Sequence, residues 1–98
     1  SKMATYGILY WQEIPSLVEA TDDAGTHKIM LSQRFQALID QLAMKRGLAG
    51  TDSYLEKWTR GEIQERQGTA EEVVKAVSEE LEAQFDDLKA AATAGLNP

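Results

Sequence analysis

Apolar residues near the start of the chain fall on both sides of an extended backbone. In Ala4–Gln12, ATYGILYWQ, Tyr6, Ile8 and Tyr10 share one face, and Leu9 and Trp11 share the other. Aromatic and β-branched residues suit a pleated surface, and apolar character on both faces predicts an interior strand. Gly7 marks a bulge or a close backbone approach. Glu13-Ile14-Pro15-Ser16 is expected to end the strand, because Pro15 has no amide hydrogen to give a ladder. A second strand is predicted over 17–21, and a turn at Asp22-Asp23-Ala24-Gly25. The third strand, 26–31, alternates His27, Ile29 and Leu31 with Lys28 and Met30; short and polar-sided, it is expected near a sheet edge.

The period then changes. Phe35, Leu38, Ile39, Leu42 and Ala43 recur at helical spacing, which predicts a helix over 33–46 with Ser32 as N-cap and Gly47 just past its end. Tyr54 to Arg60 fits two periods. A strand is the favoured reading, with Arg60-Gly61 turning the chain so that 62–67 pairs back in a hairpin. Thr69-Ala70-Glu71-Glu72 is a capping box. It opens the longest helix, striped with Val73, Val74, Val77, Leu81, Phe85 and Leu88 and fraying near Ala90–Ala94. The order β-β-β-α-β-β-α predicts an α+β two-layer sandwich: a mainly antiparallel sheet of about five strands with two helices on one face. A ferredoxin-like variant is one topology that this order allows. One domain is expected over 3–92, with Ser1-Lys2 as the remnant of a cleaved tag before Met3 and 93–98 as a flexible tail.

Composition narrows the function more by exclusion than by indication. The chain of 98 residues is 43% hydrophobic and 27% charged, ordinary for a folded domain. With no cysteine there is no disulfide framework, thiolate metal site or thiol nucleophile, and a cytoplasmic location is expected. The formal charge of −6 is unevenly placed: 62–87 holds nine acidic and two basic residues, a net −7, and the remainder nets +1. An acidic helical third repels phosphate backbones, so no nucleic-acid partner is expected. No apolar run reaches the length of a bilayer span, so no membrane partner is expected either.

Chemistry is sparse. The chain has no nucleophile elbow, phosphate loop, dinucleotide fingerprint or zinc-protease motif, and no catalytic residue, metal or cofactor is assigned. His27 is the one side chain that titrates near neutrality without perturbation. With Glu13, Asp22 or Glu62 it could serve a small enzyme or ligand-binding protein, although the simpler reading is an exposed strand histidine. Trp11, Tyr54 and Trp58, with Arg60, form the more distinctive set. Facing away from the helices they would make an aromatic patch of the kind that anchors partners; facing the helices they would be core. Either way, at least one of the two indoles needs water or a polar partner for its N–H.

Three stretches carry a family resemblance: YGILYWQEIPS from Tyr6 to Ser16; RF-x-x-x-ID from Arg34 to Asp40; and TD-x-YLE-x-W with the following G-E, R-x-G and T-A-E-E-V. Together they resemble the small bacterial virulence factor domain, found alone and at the C-terminus of conserved virulence factor C-type proteins, over about Ala4 to Phe85. Larger relatives join this domain to helical-repeat and scaffold-like segments. The resemblance therefore implies an adaptor or accessory role and supplies no catalytic residues. Two functions are carried forward: a non-catalytic binding module with a protein partner, acting through an aromatic sheet surface or edge, and the accessory enzyme or ligand-binding protein built on His27. A homodimer through a sheet edge is compatible with both.

Overall fold

A computed structural model describes residues 2–94. Its centre is a long hairpin, β1 (Met3–Trp11) and β2 (Ile14–Asp22), continued by β3 (Gly25–Met30). Helix α1 (Gln33–Lys45) and a single helical turn, α2 (Asp52–Glu56), carry the chain to the other edge of the sheet. There β4 (Trp58–Arg60) and β5 (Gln64–Gln67) lie along β1. Helices α3 (Ala70–Ala83) and α4 (Phe85–Thr93) complete the order. Every strand pairing is antiparallel, in the order β3-β2-β1 with β4 and β5 beyond β1. This is the α+β two-layer arrangement that the patterning predicts. The ferredoxin-like variant is not adopted, because the three N-terminal strands form a meander with no parallel pair.

One apolar core binds the layers. Val73, Val74 and Val77 of α3 are buried with Ala4, Val18 and Ala20 of the hairpin, and Phe35, Ile39 and Leu42 of α1 join the same cluster. Helix α3 lies on the sheet across β1, β2 and β3. Helix α1 closes the hairpin end, where Ile14 and Pro15 are both buried, so both faces of the strand are covered there.

Several boundaries differ from the sequence reading. The second strand begins at Ile14 instead of Leu17, and Pro15 lies within it opposite Tyr10. The register slips beside it, leaving Ser16 as an extra residue, and a bulge is where a sheet tolerates a missing donor. Tyr54–Glu56 is helical, not extended: the Thr51 hydroxyl accepts from the Tyr54 amide and caps the turn. The expected hairpin of β4 and β5 does not form. Both segments pair with β1 instead, Trp58 opposite Trp11 and Gln67 opposite Met3, so they make one edge strand interrupted at 61–63. The long C-terminal helix breaks at Gln84, and the Asp86-Asp87 pair starts α4, where acids suit a helix N-terminus. The break turns Phe85 edge-on to Phe35, with ring centroids 4.9 Å apart. Helix α4 runs to Thr93, inside the expected tail; residues 95–98 lie outside those described.

Candidate sheet-face binding site

The strand registers sort the side chains into two faces. On one, Ile29, Val18 and Ile8 form a row, and His27, Ala20, Tyr6 and Gln64 form the next. This face lies under α3: Ala4 and Val18 are buried there, and Arg66, opposite Ala4, reaches Glu80 of α3 at 3.0 and 2.5 Å. On the other face, Met30, Leu17, Leu9 and Arg60 form one row, and Lys28, Glu19 and Gly7 the next. Leu9 and Leu17 are half-buried but do not pack into the core, and Met30 is 73% exposed. Glu19 is bridged by Lys28 at 3.4 Å and Arg60 at 3.6 Å, so the carboxylate within this face already has two cations beside it.

Two glycines shape the edge of this surface. Opposite Gly7 the broken edge strand carries one residue too many, a bulge, and the Ile63 side chain folds over the bare backbone. A Cβ on Gly7 would stand 2.8 Å from Ile63 Cδ1. Gly61 closes the bulge by donating its amide to the Ile8 carbonyl at 2.8 Å, with the Tyr10 ring against its α-carbon. Ile63 is thus left 64% exposed on the helix-free face.

The aromatic set borders this surface without forming it. Trp11 is fully buried, and its indole N–H donates to the Tyr54 carbonyl at 3.0 Å. The expected polar partner for an indole is therefore present, but Trp11 is core and cannot be a surface anchor. Tyr54 lies against Trp11 and Trp58, with centroids 5.6 and 6.3 Å away, and Tyr54 and Trp58 are both half-buried. Register puts Trp11 and Trp58 on the face of Leu9 and Arg60, so Tyr54 and α2 wall off one end of it. Of the four residues only Arg60 is freely exposed.

The residues of the alternative site are not brought together. Glu13 sits at the tip of the β1–β2 hairpin and Asp22 at its far end, about 30 Å away for a strand of this length. Arg46 takes Glu13 in a bidentate pair at 3.0 and 2.9 Å and also donates to Gln12; these bonds hold the Glu13 carboxyl below its ordinary range, against the opposing effect of partial burial. Asp22 is a structural cap. Its Oδ2 accepts from the first amide of α3, Ala70, at 2.7 Å, and its Oδ1 from Ala24 and Gly25 in the turn. Those amides, Ala70 first, hold its carboxyl low. His27 is exposed on β3 at one edge of the sheet and Glu62 in the break between β4 and β5 at the other, and neither has a side-chain hydrogen bond or ion pair among the described residues. Among those residues no cluster of three or more His, Asp or Glu could hold a metal. A shallow apolar cavity of about 300 Å³ lies elsewhere, between α1 and the following loop, lined by Asp40, Ala43, Met44, Ala49, Gly50 and Tyr54.

The sheet-face site was not singled out from the sequence, although part of its signal is there: Met30 falls on the parity opposite to Ile29 and Leu31, whereas Leu9 shares its parity with the buried Trp11. What the sequence lacked was the pairing that places them on one surface, and the bulge that puts Ile63 over Gly7.

An antiparallel sheet with α3 packed on one side, and an open face with an ion-paired carboxylate on the other, defines a small α+β domain. The Virulence factor family profile matches residues 9–91, and the chain belongs to that family. Searches of curated proteins and of solved structures gave no match. No helix among the described residues is long and apolar enough to cross a membrane.

Proposed function

We propose that the domain is a non-catalytic binding module whose working surface is the helix-free sheet face. The observation that carries this reading is the row Met30–Leu17–Leu9–Arg60 with Ile63 beside it: large apolar side chains, two of them mostly exposed, on the side of the sheet away from α3 and beyond the end that Trp11 and Tyr54 fill. Exposed large hydrophobics gathered on a single face mark interaction sites more often than chance. The ion-paired Glu19 makes that face cheaper to dry than one with a lone carboxylate. Relative to the sequence reading, the anchors move from the aromatic set to Leu9, Leu17, Met30 and Ile63, with Arg60 retained.

The test is site-specific crosslinking. A photo-reactive amino acid placed at position 30 should give discrete protein adducts, and the same group at position 79 on the outer side of α3 should not. Equal labelling from both positions, or labelling from 79 alone, would sink the assignment.

A further inference from the structure

Resting on that reading of the sheet face, we infer that the partner the face fits is a second copy of this chain, in a reversible face-to-face dimer. Three features point to a like copy.

The first is where the charge lies. Residues 62–87 hold the net negative charge, nine acidic against two basic. Five of these nine acids sit in α3, which packs on the sheet from the side opposite to Leu9 and Leu17. Two chains of −6 repel each other in most approaches. Sheet to sheet, they keep their acidic helices outermost, with both sheets between them.

The second is the make-up of the face. Apolar and charged positions of both signs are mixed on it: Met30, Leu17 and Leu9 run beside Glu19 on the central strand β2, Lys28 and Arg60 bridge that carboxylate from opposite edge strands, and Glu65 lies farther along Arg60's edge. A surface of one sign could not meet itself, because an isologous contact sets each patch against its own twin. This one can, since its carboxylates and cations are interspersed.

The third is area, which also sets the strength. Four strand positions about 4.8 Å apart and about seven residues of open strand give roughly 400 Å² per copy, or about 800 Å² in all. That is below the ~1,200–2,000 Å² of stable interfaces and belongs with transient ones. The contact should therefore exchange and depend on concentration. With repulsion between the acidic layers as the opposing force, added salt should strengthen it, because salt screens charges on exposed helices and leaves apolar contact intact.

The experiment is sedimentation equilibrium of the chain from micromolar to millimolar concentration, at low and high salt. It is run beside Met30→Glu and Ile63→Glu, two exposed positions whose substitution leaves the core alone, with folding checked by circular dichroism. The expected result is an average mass rising toward twice the chain mass for the unsubstituted protein, more steeply at high salt, and monomers for both variants. Amide shifts on concentration should gather on β1, β2 and β3 residues of this face. A monomer at millimolar concentration overturns the inference, and so does a dimer indifferent to both substitutions. The two readings fail separately. If position 30 crosslinks only to proteins of other mass while the chain stays monomeric, the second-copy inference falls and the binding surface stands. If position 30 crosslinks to nothing, the surface itself falls.

Discussion

Single residues here are decided by small distances. Trp11 occupies the largest fully buried volume and gives its one polar group to the Tyr54 carbonyl. Trp11→Ala should cost about 3–5 kcal/mol, because both packing and the cavity left behind count. Trp11→Phe should recover most of that in urea melts while losing roughly 1 kcal/mol for the indole hydrogen bond, since the Tyr54 carbonyl keeps the Lys57 amide as its other donor. Gly7 and Gly61 are both tight but unequal. At Gly7 a new methyl meets only the far end of Ile63, which can swing away. At Gly61 it meets the Tyr10 ring at 2.9 Å and the Ile8 carbonyl oxygen at 3.4 Å, neither of which yields easily. Gly61→Ala should therefore lower stability by about 1–3 kcal/mol, whereas Gly7→Ala should leave the melting temperature nearly unchanged. Equal effects at the two sites would contradict the bulge geometry.

At the scale of elements, helix ends are tied down by groups from elsewhere in the chain. The capping box at α3 is local and was legible in the sequence: Thr69 accepts from the Glu72 amide at 3.1 Å, and Glu72 accepts from the Thr69 amide at 3.0 Å. Thr69→Ala should cost about 1 kcal/mol in a thermal melt. Helix α1 is different. The Ser32 side chain makes no cap of its own helix and instead donates to Glu82 of α3, whose other oxygen takes the Ser32 amide at 2.7 Å. Arg34 completes this junction, reaching both the carboxylate and the backbone carbonyl of Glu82 and lying over the Phe85 ring at 4.5 Å. Burial pushes the Glu82 carboxyl up, but the hydrogen bonds from Ser32 and Arg34 outweigh it and hold it low. Glu82→Gln keeps the shape but loses the charge, so it should loosen the α1–α3 contact. Faster amide exchange at the start of α1 than in α3 would report it, and unchanged exchange would argue against a coupled junction.

For the whole molecule, these junctions make one prediction about acid. Asp22, Glu13, Glu72, Glu80 and Glu82 all have folded-state pKa values below their ordinary ones, through hydrogen bonds from backbone amides, Ser32, Thr69 or arginines. A carboxyl whose folded pKa is depressed stabilises the fold at pH above its unfolded value. That contribution is lost as pH falls through the folded value. The melting temperature should thus be level from neutrality down to about pH 5 and fall below about pH 4, where carboxylates of unfolded chains take up protons. Asp22→Asn should flatten part of the descent.

How much was legible follows from which interactions are local. The amphipathic stripes of α1 and α3, the capping box, the Asp22–Gly25 turn and the interior character of β1 are written in neighbouring residues, and each formed where the pattern put it. So is the uneven charge, which alone argued against a phosphate-backbone partner. The rest depended on what the free edge of β1 accepted. That edge drew β4 and β5 into one broken strand, against the local signal for a hairpin at Gly61, because pairing with β1 satisfies backbone groups along nearly the whole strand. The same pairing buried Trp11, stacked Tyr54 against it and left Trp58 half-covered, which moved the aromatic residues from candidate surface to core and border. The registers of β1, β2 and β3 laid Leu9, Leu17 and Met30 side by side, and the bulge in the broken edge strand brought Ile63 to them. Alternation along a strand tells which residues share its face, but only the register between strands tells which of them become one surface.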